Sequence, residues 1–389
     1  MKPRAGSKAL IREINEAFVL DVVRAQGPVA RATIASQTGL SPATVTGITG
    51  QLLGSGLLVE TDVVRDTGGR PARLLELGHD AVVAAGVRIS SKEARAVLVN
   101  LRGEVVAEHR EPIASTEPPE VAAAAAKAVQ ATLRHASAST LLGVGVAISG
   151  VVDQEGGIVK HSGSMGWEDV PFRSLLRRVL SVPVVIDSYV NSFAVGLLLF
   201  DGRLEGQNLL VFSASASLGA SVVVEGRIHR GFTGAAGGFA HSYVGCGVDP
   251  QRPCHCGAVD CLETRSSLWG IQAEVARRGA GEGSVDPVRD AEVIADAATH
   301  LGVAMANASK MFAPERVVLA VAPELDFAEL TAGAEQAFRG QYVHENAPVP
   351  LFESMANAPA TLARGAACTV LGRLFTADAS GLEAVDQAG

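Results

Sequence analysis

The chain has 389 residues, of which 48% are hydrophobic, 19% charged and 4% aromatic; it is long enough for two or three cores and too apolar to be disordered. Lys and Arg number 33 against 41 Asp and Glu, a net charge of -8, which excludes a protein that coats nucleic acid through bulk charge. The charge is uneven, because residues 1–78 carry nine basic against seven acidic side chains and the remainder is -10, so a slightly basic head leaves local DNA binding open.

The N-terminal stretch Met1 to Val23 is broken by Arg12, Glu13 and Glu16 and has no signal-peptide core. The longest apolar runs, such as Phe193 to Phe200, fall far short of a membrane span. Both features predict a soluble, cytoplasmic protein. Apolar residues at Phe18, Val19, Val22 and Val23 are spaced for one face of a helix over Asn15 to Gln26. Arg31 to Thr38 predicts a second helix, closed by Gly39 at a left-handed position. Ser41 is a good N-cap with Pro42 at the first helical position, and the third helix runs from there to about Gly54. Leu57 to Glu60 and Arg73 to Leu77, on either side of the polar tip Asp66 to Pro71, predict a β-hairpin or wing.

From about His79 apolar strand-like stretches alternate with helical ones. The strands are Val82 to Ile89, Ala96 to Val99, Leu142 to Ile148, Val182 to Ile186, Leu209 to Phe212, Ala220 to Val224 and Arg316 to Val321. The helices are Pro119 to His135, Phe172 to Leu180, Asn191 to Phe200 and Ala291 to Phe312. Such alternation predicts a layered α/β body. Gly279 to Asp286 reads as a loop insertion and the last dozen residues as a loose tail.

Two helices joined at Gly39 form a helix-turn-helix layout. The second would place its early residues Ser41, Pro42, Ala43, Thr44 and Thr46 in the major groove of double-stranded DNA, where small side chains allow close approach. Arg31, and the wing residues Arg65, Arg70 and Arg73, are candidates for phosphate or minor-groove contacts. A small helical domain used for dimerisation or protein contact is the alternative.

Of the five cysteines, three crowd into eight positions. In a reducing compartment that points to a metal rather than to disulfides. His241, Cys254, Cys256 and Cys261 supply one imidazole and three thiolates, a complete tetrahedral zinc shell with no position left for an activated water. The expected ion is therefore structural. Cys246 and Cys368 read as packing residues, with Cys246 near enough in sequence to be an alternative ligand.

Gly234-Ala-Ala-Gly-Gly-Phe-Ala-His241, followed by Cys254-His-Cys-Gly-Ala-Val-Asp-Cys-Leu-Glu263, resembles the signature of the ROK family of repressors, open reading frames and sugar kinases. Gly143-Val-Gly-Val-Ala-Ile-Ser-Gly-Val-Val-Asp153 and Gly166-Trp-Glu-Asp-Val-Pro171 are similar to two further family segments, and a head ending in Gly69-Arg70-Pro71 is similar to its repressor branch. The resemblance implies a winged helix-turn-helix over 1–78 and a two-lobed actin-like (ribonuclease H-like) body over 79–389, assembled as a homodimer or homotetramer. Within that body it implies lobe one at about 79–197, lobe two at about 198–356, and a C-terminal helix at about 357–376 that returns to lobe one.

A kinase needs glycine-rich loops whose amides hold phosphates, and a base for the sugar hydroxyl. Where family kinases read Asp-Ile-Gly-Gly-Thr-Lys, this chain has Arg88-Ile-Ser-Ser-Lys-Glu93; where they read Gly-Thr-Gly, it has Ser215-Ala216-Ser217. A glycine pair on the adenosine side is replaced around Val321-Ala322, and the general-base Asp is replaced by Tyr189. A phenol with an ordinary pKa near ~10 is a poor proton acceptor at neutral pH. The resemblance places sugar contacts at Ser164, Ser188, Tyr189, Gly238, His241 and Glu263, with Gly150 nearby; only His241 and Glu263 keep the family's residue types. The expectation is a DNA-binding regulator, a repressor, whose body senses a sugar or sugar derivative without being an enzyme. A kinase that uses ATP and a regulator without sugar binding are the alternatives.

Overall fold

The computed structural model describes residues 8–64, 72–79, 81–136, 139–245, 251–279, 290–325, 328–343 and 348–376. The head comprises α1 (Lys8–Gln26), β1 (Val29–Ala30), α2 (Arg31–Thr38), α3 (Pro42–Gly54), β2 (Leu58–Val64) and β3 (Ala72–Leu77). Strands β2 and β3 pair antiparallel as a hairpin, and β1 adds to the free edge of β3. Helix α1 starts at Lys8 rather than Asn15 because residues 8–14 are mostly good helix formers outside the apolar face. An Arg12–Glu16 pair at 2.9 Å supports that first half. The wing tip, with Arg65 and Arg70, lies outside the described residues, as do Cys246, the insertion after Gly279 and the C-terminal tail.

Lobe one contains β4 (Val82–Ile89), β5 (Glu93–Asn100), β6 (Val105–Pro112), α4 (Pro118–Leu133), β7 (Thr140–Ile148), β8 (Val151–Asp153), β9 (Ile158–Ser162), β10 (Trp167–Val170), α5 (Phe172–Val179), β11 (Val184–Ser188) and α6 (Tyr189–Phe200). Lobe two contains β12 (Leu209–Ala214), β13 (Leu218–Val224), β14 (Arg227–His229), α7 (Glu263–Ser266), α8 (Leu268–Gly279), α9 (Ala291–Phe312), β15 (Arg316–Val321), α10 (Ala328–Arg339) and β16 (Leu351–Ala356), and α11 (Pro359–Leu371) follows. The two five-stranded sheets run β6-β5-β4-β7-β11 and β14-β13-β12-β15-β16. Each has three antiparallel strands followed by two parallel ones, so one topology occurs twice.

Helices α6 and α11 lie between the sheets. Phe193 and Ala194 of α6 share a core with Val211 and Val318, and Ala363 and Ala367 of α11 share another with Ala84 and Val97. Glycine makes the approach possible: a Cβ on Gly145 would sit 1.8 Å from the Ala366 carbonyl oxygen, and one on Gly365 would sit 2.4 Å from that of Ser192. The opposite faces are covered by α4 and α5 in lobe one and by α9 and α10 in lobe two.

The described residues of the head pack directly against this body. Val19, Leu20 and Val23 of α1 join one apolar cluster with Val82, Leu199, Ala367 and Phe375. Arg102 pairs with Glu76 at 2.6 Å and donates to the Leu77 carbonyl at 3.2 Å, while Arg24 donates to the Leu199 carbonyl. No helix among the described residues is long and apolar enough to cross a membrane.

Candidate functional site

On the head, the turn between α2 and α3 is set by local chemistry. Gly39 is left-handed at φ 69°, and the Ser41 hydroxyl accepts the Thr44 amide at 3.2 Å. Val45, Ile48, Thr49 and Leu52 face inward, leaving Pro42, Ala43, Thr44, Thr46, Gly47, Gly50 and Gln51 exposed. A Cβ added at Gly47, Gly50 or Gly54 would meet nothing within 4 Å. Each interior helical glycine costs about 1 kcal/mol relative to alanine, and no packing within the head uses the space. Arg31 donates to the Thr49 hydroxyl at 3.0 Å and pairs with Glu60 at 3.0 Å, and Arg73 reaches the same carboxylate at 2.5 Å. Both arginines thus rest on Glu60, a partner that counting basic residues in the sequence does not reveal.

In lobe two, a 3-10 turn (Gly238–His241) and the loop before α7 bring His241, Cys254, Cys256 and Cys261 together, with all ligand atoms within 4.8 Å of one another. The Cys254 sulfur lies 3.7 Å from His241 Nδ1 and the Cys256 sulfur 3.7 Å from that of Cys261. Metal–sulfur bonds of about 2.3 Å in a tetrahedron give edges of about 3.8 Å, so the four residues fit a metal ion. Burial pushes the Cys254 and Cys261 thiols up, the latter to about 12, and a cation would have to displace those protons.

Beside this cluster a cavity of about 690 Å³ opens between the lobes, and Gly150, Ser164, Ser188, Tyr189, Gly238, His241 and Glu263 all line it. Gly150 adopts φ 118°, with the His161 carbonyl oxygen 2.0 Å from where a Cβ would sit. The Ser188 hydroxyl accepts the Asn191 amide at 3.2 Å and so caps α6, which starts at Tyr189 rather than Asn191. Glu263 accepts the Leu218 amide at 2.7 Å through one oxygen; its other oxygen is buried without a hydrogen-bond partner, and burial raises the carboxyl to about 7.

The Tyr189 side chain is buried, and burial pushes its phenol above the ordinary value. Its hydroxyl donates across the cleft to the Ser217 carbonyl at 3.3 Å, an oxygen that also accepts the Ser215 amide at 3.2 Å and the Ser215 hydroxyl at 2.9 Å. The loop 215–217 therefore closes on itself. The neighbouring Asp187 is 1% exposed and accepts bonds from Gln154, the Ser188 amide, Asn191 and, at 2.6 Å, Arg230 of lobe two. A carboxylate so enclosed has no lone pair free for a ligand proton.

Several residues in or beside the cleft escaped the sequence reading. His255 stacks edge-on between His241, at 5.6 Å, and Trp269, at 5.2 Å, and its place between Cys254 and Cys256 was the available signal. Asp187 and Arg230, far apart in sequence, carried none.

A family model described as ROK family matches residues 84–325. The chain belongs to the ROK family. Over 344 residues it is 27% identical to a putative xylose repressor of Caldicellulosiruptor sp. (strain Rt8B.4), covering 81% of this chain and 84% of that one. Over 348 residues it is 27% identical to the DNA-binding transcriptional dual regulator NagC of Escherichia coli (strain K12), covering 81% and 82%. Among solved structures it aligns with a ROK family transcriptional regulator, a homolog of the E. coli MLC protein, at TM-score 0.77 and 24% identity over 94% of this chain and 97% of that one. A ROK family glucokinase from Streptomyces griseus in complex with glucose and AMPPNP aligns at TM-score 0.61 and 20% identity, over 73% of this chain and 98% of its own. The ROK body is thus a two-lobed actin-like fold common to regulators and kinases. The aligned regulator spans nearly all of the present chain, head included, whereas the kinase leaves about a quarter of it uncovered.

Proposed function

We propose that this ROK protein is a DNA-binding transcriptional regulator, a repressor, whose body binds a sugar or sugar-like effector and transfers no phosphate. The observation that carries this reading is the exposed face of α3: capped by Ser41, bare at Gly47 and Gly50, and docked on a body with no free carboxylate at the base position. Residues 1–78 form the reader and 79–389 the sensor. Ser41, Pro42, Ala43, Thr44 and Thr46 meet base edges, while Arg31 and Arg73 leave Glu60 for phosphates. Two heads in a homodimer would read half-sites about 34 Å apart. Its relatives' names, a xylose repressor and NagC, support this direction.

His241, Cys254, Cys256 and Cys261 would hold zinc, which their one imidazole and three thiolates fit. Once bound, it supplies rigidity to the wall that carries His241 and Glu263, and performs no chemistry. Glu263 offers its unpartnered oxygen to a sugar hydroxyl, with Gly150, Ser164, Ser188 and Tyr189 completing the pocket. A phenol whose hydroxyl is bonded to Ser217 is not a base, which argues against the kinase reading. An effector that binds the open and closed bodies unequally shifts head spacing, and with it DNA affinity. Gel-shift titration with DNA upstream of the protein's own gene tests this. We expect retardation at low salt that a sugar relieves; zinc-loaded protein that retards no fragment would overturn the reading.

A further inference from the structure

Arg88 is the penultimate residue of β4, at the position where family kinases carry the first residue of their phosphate-holding stretch, and it lines the cleft. It stands directly opposite Arg95 on β5. Like charges so paired repel, and the two arginines are treated differently. Arg95 is bonded to Glu93 at 3.1 Å and to Glu108 at 2.6 Å. Arg88 is half-buried, and among the described residues its guanidinium has no hydrogen bond or ion pair. The carboxylates of Glu93 and Glu324 and the Tyr189 phenol act on it only through space, and burial works against its charge.

Among the described residues the cleft lining holds a single carboxylate, Glu263, on the lobe-two side next to the metal cluster. On the Arg88 side the lining hydroxyls are those of Ser91 and Ser149, together with Ser90, whose own proton already goes to the Glu93 carbonyl at 3.1 Å. A guanidinium cannot lose its proton, and its fork matches a carboxylate or phosphoryl group. The cavity thus presents a fixed cation with hydroxyl donors at one side and, at the other, a carboxyl suited to neutral hydroxyls.

We propose that the effector of this cleft is an anionic sugar, bearing a phosphoryl or carboxylate group, and that Arg88 selects it. The inference rests on the reading of the cleft as a sugar-sensing site and goes beyond it by naming the ligand class. The anion sits on Arg88 of lobe one while the sugar hydroxyls reach Glu263 of lobe two, so one ligand draws both lobes together. The same geometry gives the effector a means of changing body shape.

Calorimetric titration of the full-length, zinc-loaded protein with glucose, glucose 6-phosphate, glucuronate and inorganic phosphate tests this. We expect one of the two anionic sugars to bind at least tenfold more tightly than glucose, with the preference falling as salt rises; the phosphate and carboxylate arms identify the anion. Arg88→Gln should abolish that preference and leave glucose affinity unchanged, whereas Glu263→Gln should weaken all three sugars alike. A preference that survives Arg88→Gln, or glucose bound as tightly as both anionic sugars, overturns the proposal and leaves the sugar reading intact. Inorganic phosphate held through Arg88 with no sugar bound would sink the sugar reading and keep the anion site, while silence from all four ligands removes both. Because the Arg88 side chain makes no hydrogen bond to another described residue, its variant should keep the parental melting curve, which shows that a lost preference is not lost folding.

Discussion

The two walls of the cleft have fared differently. On the metal side all four ligands are in place, with sulfur and nitrogen atoms spaced for a tetrahedron. On the side that the family resemblance assigns to phosphate, Ser90, Ser91, Ser215 and Ser217 stand where the kinase pattern has glycines and Tyr189 where it has an Asp, and the loop amide of Ser215 is turned onto the Ser217 carbonyl. The difference follows from what each wall does. A closed metal shell is all-or-none, since three ligands leave an open position and a much weaker site. A phosphate cradle contributes only when phosphate is transferred, so each of its parts can be exchanged without unfolding anything.

Removing the metal should produce the largest effect. Cys261→Ser, or treatment with a strong chelator, should release the ion and destabilise lobe two by about 4 kcal/mol, on the scale of lost structural metals. Metal analysis alongside a denaturant titration reads both quantities. A Cys261→Ser protein that keeps one equivalent of zinc and its midpoint would erase the contrast between the walls. Next comes the inter-lobe pair. Arg230→Ala leaves Asp187 buried but still bonded to Gln154, Asn191 and the Ser188 amide, so the cost should be about 2 kcal/mol rather than the full price of an unpaired buried charge. Arg230→Lys should recover only part of it, because Nε and a terminal nitrogen both reach one Asp187 oxygen.

On the phosphate wall itself, Tyr189→Phe should cost about 1 kcal/mol for the bond to Ser217. Tyr189→Asp restores a carboxylate but not the glycine loops, and a coupled assay with ATP and glucose should stay at background. Turnover in that variant would mean that the loops had kept their phosphate geometry and that one residue alone had silenced them.

How much of this the sequence disclosed depended on the range of the interaction. Gly39, Ser41 and Pro42 act within four residues, and the turn they predict is the turn observed. Apolar runs buried on both faces, such as Val82–Ile89 and Arg316–Val321, have the expected bounds. The edge strand Val105–Pro112 was missed because its side chains are mostly exposed or half-buried and polar, and Val29–Ala30 because only its pairing with β3 makes it a strand. Within the cleft, the dense cysteine spacing pointed to the metal cluster. Arg88 was legible as a departure from the kinase pattern, yet its lack of a partner is a tertiary fact. So is the attachment of Arg31 and Arg73 to Glu60.

That attachment supports the smallest of the expected effects. Arg73 first, and then Arg31, hold the Glu60 carboxyl below its usual range, so it is ionised at neutral pH. In the proposed reading, DNA would compete with Glu60 for both arginines. Glu60→Gln should raise affinity for any duplex a few-fold at low salt. It should also steepen the fall of log K with log salt, by roughly one unit for each arginine that gains a counterion to release. Because phosphates carry no sequence information, the ratio of specific to non-specific binding should stay where it was. An unchanged salt slope in Glu60→Gln would show that Arg31 and Arg73 hold the wing to α2 instead of touching DNA, leaving the bare face of α3 to account for binding by itself.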